Sequence, residues 1–213
     1  MMPLGVIASA HKAASGGGGA LLTYLGNAAS GTDLATYTFA GMPFGPASAS
    51  REIIVTIGRY GGGNISSATI GGVAATIDQS SLLGNPLSNI LRAAVPAGTS
   101  GDVVLNFAAA PARVIVGVYA STVALAVSAT ATLTDPGQAT ASITNPAGSE
   151  VLAAAYTHTL VPSWVGATSD YAATVETVYG TAARTAATGA LTITAAPSST
   201  TADAICAVAY APA

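Results

Sequence analysis

The chain has 213 residues, of which only 7% are charged and 51% hydrophobic, with six lysines and arginines against nine acids and a net charge of −3. An ordinary soluble domain is about 25% charged, so the exterior here must be covered mainly by Ser, Thr, Gly, Ala and Asn. Such a surface is cheap to dehydrate and suits packing against copies of itself or against neighbours. The balance excludes a basic stripe, so nucleic acid is not expected as a direct partner. A single cysteine, Cys206, excludes an internal disulfide and a four-thiolate zinc site. No apolar run reaches the ~18 residues of a bilayer span, so membrane insertion is not expected.

Residues 1–20 read as an arm, with an apolar patch from Leu4 to Ile7, then His11 and Lys12, then the glycines Gly16 to Gly19. Its apolar core is about six residues long with no basic residue ahead of it, which argues against a cleaved secretion signal. Glycine-rich chain is flexible when free, so contact with a partner would be needed to hold it. Leu4, Val6, Ile7, His11 and Lys12 are the candidate anchoring residues.

From residue 21 onward the pattern is strand after strand. "LLTYLGN" and "LATYTFA" come first, then "REIIVTIGRY", with Ile53, Val55 and Ile57 on one face between Arg51 and Arg59. "GRYGGGN" at 58–64 is glycine-rich, but no helix follows to present its amino terminus to a phosphate. "ISSATIGGVAATI" predicts a two-residue hairpin, because the adjacent Gly71 and Gly72 permit the positive φ angles of a tight turn. That register pairs Ile70 with Val73, Ala68 with Ala75 and Ser66 with Ile77. Alternation then puts these apolar side chains on one buried face.

"SNILRAAV" and "DVVLNF" follow, separated by a turn at Pro96 to Gly101, and "ARVIVGVYA" is apolar on both faces, as a central strand would be. In "TVALAVSATATLT", Val123, Leu125, Val127, Ala129, Ala131 and Leu133 are expected on one face. "DPGQ" at 135–138 turns the chain into "ATASITN", and "EVLAAAYTHTL", "YAATVETVY", "ALTITAA" and "AICAVAY" complete the set. Threonine, valine and glycine interleave the alanines and disfavour helix. About a dozen strands predict an all-β fold, a single jelly-roll-like two-sheet sandwich of antiparallel strands over residues 21–213.

Chemistry-bearing residues are few. A catalytic triad would have to use His11 or His158, and neither stands near a nucleophile-elbow motif. The acids Asp33, Asp78, Asp102, Asp135, Asp170 and Asp203 read as turn residues capping backbone amides. No ligand spacing for zinc or calcium is present, and no paired-acid arrangement for glycoside cleavage is visible. No enzymatic activity, metal or cofactor is therefore expected. Cys206, in an apolar strand, reads as a small buried filler. One binding candidate remains: Trp164, close in sequence to Tyr171 and Tyr179, could stack on a sugar ring, or could cover the end of a core.

Taken in order, "TYTFAGMPFGPASASREIIVTIGRY", "ISSATIGGVAATI", "VPAGTSGDVVLNF", "ARVIVGVYA", "SWVGATSDY" and the terminal "AVAYAPA" resemble a β-sandwich domain of virion proteins from tailed bacteriophages and gene transfer agents. The likeness covers roughly residues 21 to 213, and "PLGVIASAHKAASGGGG" resembles the anchoring leader of some such proteins. The resemblance implies a non-enzymatic structural subunit, a head decoration or spike protein, or a tail or fibre component. Its expected partners are further copies of the chain, as a homo-oligomer of trimeric type, and other virion proteins such as capsid or tail subunits. The alternative is a receptor-binding module on a fibre, with host surface polysaccharide as ligand and Trp164, Tyr171 and Tyr179 as contacts. The expected location is the virion, assembled in the host cytoplasm. No functional residue carries over, because the shared pattern is one of strands and turns.

Overall fold

The computed structural model describes residues 20–81, 87–135, 139–158, 162–176, 178–196 and 203–213; the arm candidates Leu4, Val6, Ile7, His11 and Lys12, and most of the "DPGQ" turn, lie outside them. The described residues are all-β, strands joined by turns and loops with no helix among them. The first part contributes β1 (Thr23–Ser30), β2 (Thr36–Pro43), β3 (Glu52–Tyr60), β4 (Ile65–Ile70), β5 (Val73–Ala74), β6 (Thr76–Ser80), β7 (Leu87–Ala94), β8 (Ser100–Phe107) and β9 (Arg113–Ser121). The second contributes β10 (Leu125–Asp135), β11 (Ala139–Asn145), β12 (Glu150–His158), β13 (Ser163–Val165), β14 (Thr168–Val175), β15 (Val178–Thr185), β16 (Gly189–Ala196) and β17 (Asp203–Pro212).

The expected antiparallel β-sandwich forms, with four sheets rather than two. Sheet order is β2-β8-β4-β5, β1-β9-β3-β7-β6, β10-β17-β12-β15-β14 and β11-β16-β13. Three apolar layers show how they stack. Tyr37, Phe39, Val103 and Leu105 meet Ile53, Val55, Val116 and Val118 between the first two sheets. Ile54, Ile90, Ile115 and Tyr119 meet Leu152, Ala182, Val208 and Tyr210 between the two five-stranded sheets. Ala139, Ala141 and Ile193 meet Val151, Ala153, Ile205 and Ala207 in the last layer. Two sandwiches therefore sit back to back. The inner strands are buried on both faces, as the doubly apolar "ARVIVGVYA" of β9 predicts: Val114, Val116 and Val118 enter one core, and Ile115 and Tyr119 the next.

The second sandwich repeats the first. Replacing β1, β9, β3, β7 and β6 by β10, β17, β12, β15 and β14 converts one five-stranded sheet into the other, and β2-β8-β4 likewise becomes β11-β16-β13. Residues follow the same correspondence. β3 and β12 each open on a glutamate, Glu52 and Glu150, and β7 and β15 carry Arg92 and Arg184. β6 and β14 each bulge at an aspartate, the register shifting between Ile77 and Gln79 around Asp78 and between Ser169 and Tyr171 around Asp170. β9 and β17 place Tyr119 and Tyr210 near their ends.

The glycine hairpin forms as a turn and departs as a ladder. Gly71 and Gly72 have φ of 58° and 80°, the type I′ pattern. Ile70 pairs with Val73 and Thr69 with Ala74, and Ala75 N–H donates to Ala68 C=O at 3.0 Å. The expected pairing of Ser66 with Ile77 does not occur, because the chain switches sheets and β6 pairs with β7, Thr76 opposite Arg92. Ala68 and Ile70 are buried as expected, whereas Val73 and Ile77 are exposed. β10 also departs from simple alternation. Its register against β17 shifts between Val127 and Ala129, and the extra residue, Ser128, donates its hydroxyl to Ala209 C=O. This bulge turns the strand over: Leu125 points into the middle core, Ala129 and Ala131 pack on the last one, and Val123 and Val127 stay exposed.

Candidate functional site

Six charged side chains, Arg92, Glu52, Asp78, Arg184, Glu150 and Asp170, form two clusters where the two sandwiches mate. Arg92 donates from Nε to Asp78 Oδ2 (3.0 Å) and from Nη1 to Glu52 Oε2 (2.7 Å) and to Leu125 C=O (2.6 Å), the last on the first strand of the other sandwich. Its guanidinium lies over the ring of Tyr210, whose hydroxyl donates to Asp78 at 2.7 Å. Arg184 makes the reciprocal set. It grips Asp170 with two bonds of 2.7 Å, stands 3.5 Å from Glu150 Oε1, donates to Leu22 C=O in the first sandwich, and lies over the ring of Tyr119. Each sandwich thus presents an arginine, held by its own two acids, to the chain entering the other. Reciprocal contact of this kind defines a pseudo-twofold interface.

The Arg184 cluster also holds Leu22, just ahead of β1. Leu22 is buried, its N–H donates to Glu150 Oε2 at 2.8 Å, and its C=O accepts from Arg184. Burial raises the pKa of the Glu150 carboxyl, and the Leu22 N–H and Arg184 pull it back toward the charged form. Burial, reinforced by Asp170, pushes the Tyr119 phenol well above its ordinary range, and burial with Asp78 does the same to Tyr210. The guanidinium and amide donors on these acids hold the two arginines in place across the junction. Asp78 and Asp170, expected to cap turns, instead sit at strand bulges inside ion-pair clusters. Asp102 does cap an amide, accepting from Gly41 N–H at 3.0 Å.

Around these clusters the inner faces fit as side chains over glycines. Tyr156 covers Gly58, where an added Cβ would come within 2.9 Å of Tyr156 Cδ2. Ile115 covers Gly180 at 2.7 Å, and the Tyr171 ring lies where a Cβ of Gly117 would be. Ser88 Oγ donates across the layer to Ala154 C=O (2.8 Å) and lies 3.3 Å from Cys206 Sγ. Cys206 is a buried filler as expected, its thiol pushed up to about 12 by burial and held back by Ser88.

The three aromatic candidates do not form one platform. Tyr171 is buried in the middle core, stacked on Tyr24 with ring centres 5.5 Å apart and its hydroxyl 2.9 Å from Thr56 Oγ1. It offers no open face, so its reading as a sugar contact is corrected. Trp164 is half-buried against the last core, and its Nε1 donates to Thr181 Oγ1 (2.9 Å), which donates in turn to Tyr171 C=O (2.6 Å). Tyr179 is half-exposed, two residues from Thr181 and so on the same face of β15 as the Trp164 attachment.

A notch of about 270 Å³ lies elsewhere, at one end of the first sandwich, lined by Asn64, Ile65, Ile77, Ser80, Ser81 and Asn89. No sequence signal marked it. Among the described residues no group of three or more His, Cys, Asp or Glu is placed to hold a metal, and no helix is long and apolar enough to cross a membrane. Comparison with family models, curated proteins and solved structures finds no match for this chain.

Proposed function

We propose that the chain is a non-enzymatic structural subunit of a virion, a head decoration or spike-type protein attached to its particle through residues 1–20. The observation that carries this reading is the grip on Leu22, the first buried residue after the arm. Both its backbone groups are held by Glu150 and Arg184 from the second sandwich, so a pull on the arm is delivered into the middle core instead of peeling β1 from the sheet edge. The use of charge supports it too. Arg92, Arg184 and four acids are spent on joining the sandwiches, while the outer sheets carry neutral rows. Thr36, Asn106 and Ser67 hydrogen-bond across one outer face, and Thr140 meets Thr194 on the other.

The test is retention on particles in cells that produce them. Leu4→Asp with Ile7→Asp is expected to abolish co-sedimentation of the chain with particles while leaving its melting temperature unchanged. Retention equal to that of the unaltered chain would refute arm attachment. Turnover of a host capsule polysaccharide by the purified protein would refute the non-enzymatic assignment.

A further inference from the structure

The two inner faces match in backbone and in ion-pair chemistry but differ where each touches the other. Gly58 and Tyr156 occupy the same position, seventh along β3 and β12, and they are in contact. Contact between equivalent residues locates the pseudo-twofold axis. On that axis one sandwich supplies the hollow and the other the ring that fills it. A pair of first sandwiches would set Gly58 against Gly58 and leave a void, whereas a pair of second sandwiches would drive Tyr156 into Tyr156.

The same holds off the axis. Gly117 receives Tyr171. Gly117 pairs with Thr56 of β3 as Cys206 pairs with Ala154, the same position of β12, and Tyr171 follows the β14 bulge as Gln79 follows that of β6. The equivalent positions are thus Cys206 and Gln79. Two second sandwiches would therefore set Tyr171 against the Cys206 side chain, where Tyr171 now needs the bare backbone of Gly117. Gly180 receives Ile115. The position equivalent to Gly180 is Ser88, opposite Gly58 as Gly180 is opposite Tyr156, and it carries a side chain that meets Cys206 instead. Among the described residues the buried Tyr156 hydroxyl has no hydrogen-bond partner, so the ring serves by its shape. The Arg92 and Arg184 clusters cannot make this distinction, because Leu22 and Leu125, and Tyr119 and Tyr210, offer the two arginines the same groups.

We infer that the inner faces form a heterotypic recognition surface: each sandwich takes the other as its partner and refuses a copy of itself. The covalent connection through the exposed residues Thr122 to Ala124 is then not what selects the pairing.

The test uses the full chain with a protease site inserted between Thr122 and Ala124, cleaved after folding and analysed by native mass spectrometry. Cleaved protein is expected to remain a complex of one first and one second sandwich. After mixing with isotope-labelled cleaved protein, exchange should give first–second pairs only. Separation of the two pieces, or like pairs in comparable amount, would overturn the inference. In the cleaved protein, Tyr156→Gly should speed dissociation at least roughly tenfold, the scale of a central interface residue. Gly58→Tyr combined with Tyr156→Gly moves the ring across the axis and should restore most of the loss. A double variant no better than the single one would also overturn the inference. If Tyr156→Gly leaves the uncut chain unfolded by circular dichroism, Tyr156→Leu, alone and with Gly58→Ala, serves the same comparison.

Discussion

Replacing Arg92 by Met keeps most of the side-chain volume and removes the cation. Three bonds of 3.0, 2.7 and 2.6 Å are lost, and Glu52 and Asp78, with side chains only 13% and 3% exposed, are left facing each other. Breaking a buried pair by removing one partner costs about 3–5 kcal/mol. Arg92 is itself 19% exposed, so water relieves part of this and the lower end, about 3 kcal/mol, is expected. For a chain of this size 1 kcal/mol moves Tm by about 2–4 °C, giving a fall of roughly 6–12 °C. Arg184→Met strips the equivalent partners, Asp170, Glu150 and Leu22 C=O, and should fall by a similar amount. Scanning calorimetry at neutral pH, at low salt and at about 1 M salt, reads both. Partly buried pairs are screened little, so the deficit should persist at high salt. A fall under about 2 °C, or one erased by salt, would mean that these are surface ion pairs of negligible worth and would refute the reasoning.

Other expectations follow from single contacts. Gly72→Ala should cost about 1–2 kcal/mol for its positive φ alone, since among the described residues nothing lies within 4 Å of the added Cβ. Gly71→Ala should cost more, because its Cβ would meet Phe44 Cε2 at 2.9 Å and Val95 Cγ1 at 3.1 Å; urea denaturation of the two variants gives the order, and equal costs would refute it. Cys206 should resist thiol reagents until the chain unfolds. Its folded pKa of about 12 lies above the ordinary value of 9.0, so the unfolded chain loses the proton first, and stability should fall as pH rises from about 9 toward 12. Cys206→Ala should remove that part of the decline, as read from denaturation midpoints at either end of the range. Trp164→Ala should cost about 2–3 kcal/mol in lost packing and a lost hydrogen bond to Thr181. A glycan array should show no binding that depends on Trp164, and a Trp164-dependent signal would revive the receptor-module reading.

The strands were legible because alternation is a local property: β9 reads as a central strand from "ARVIVGVYA" alone, and Gly71-Gly72 marks its own turn. The number of sheets was not, because alternation tells which residues share a face but not what covers that face. In β3, Ile53, Val55 and Ile57 face one core and Ile54 faces another, and a single two-sheet sandwich can use only one of these. The duplication was present as paired spacings, Glu52 to Arg92 over 40 residues and Glu150 to Arg184 over 34. It was hidden because among the described residues β5 and the glycine hairpin occur only in the first sandwich, and because "REIIVTIG" corresponds to the alanine-rich "SEVLAAAY". Asp78 and Asp170 read as turn residues since nothing local announces a bulge that swings them onto an arginine. Tyr171 looked available for the same reason: its cover, Gly117 and Thr56, comes from distant chain.

Electron cryomicroscopy of particles from cells that express the chain tests the central claim most directly. The account predicts a four-layer body standing on the particle, joined to it by density that leaves the body at Ala20 beside the Arg184 cluster. A body seated through an outer sheet with no density leading from Ala20, or particles that lack the chain altogether, would contradict it.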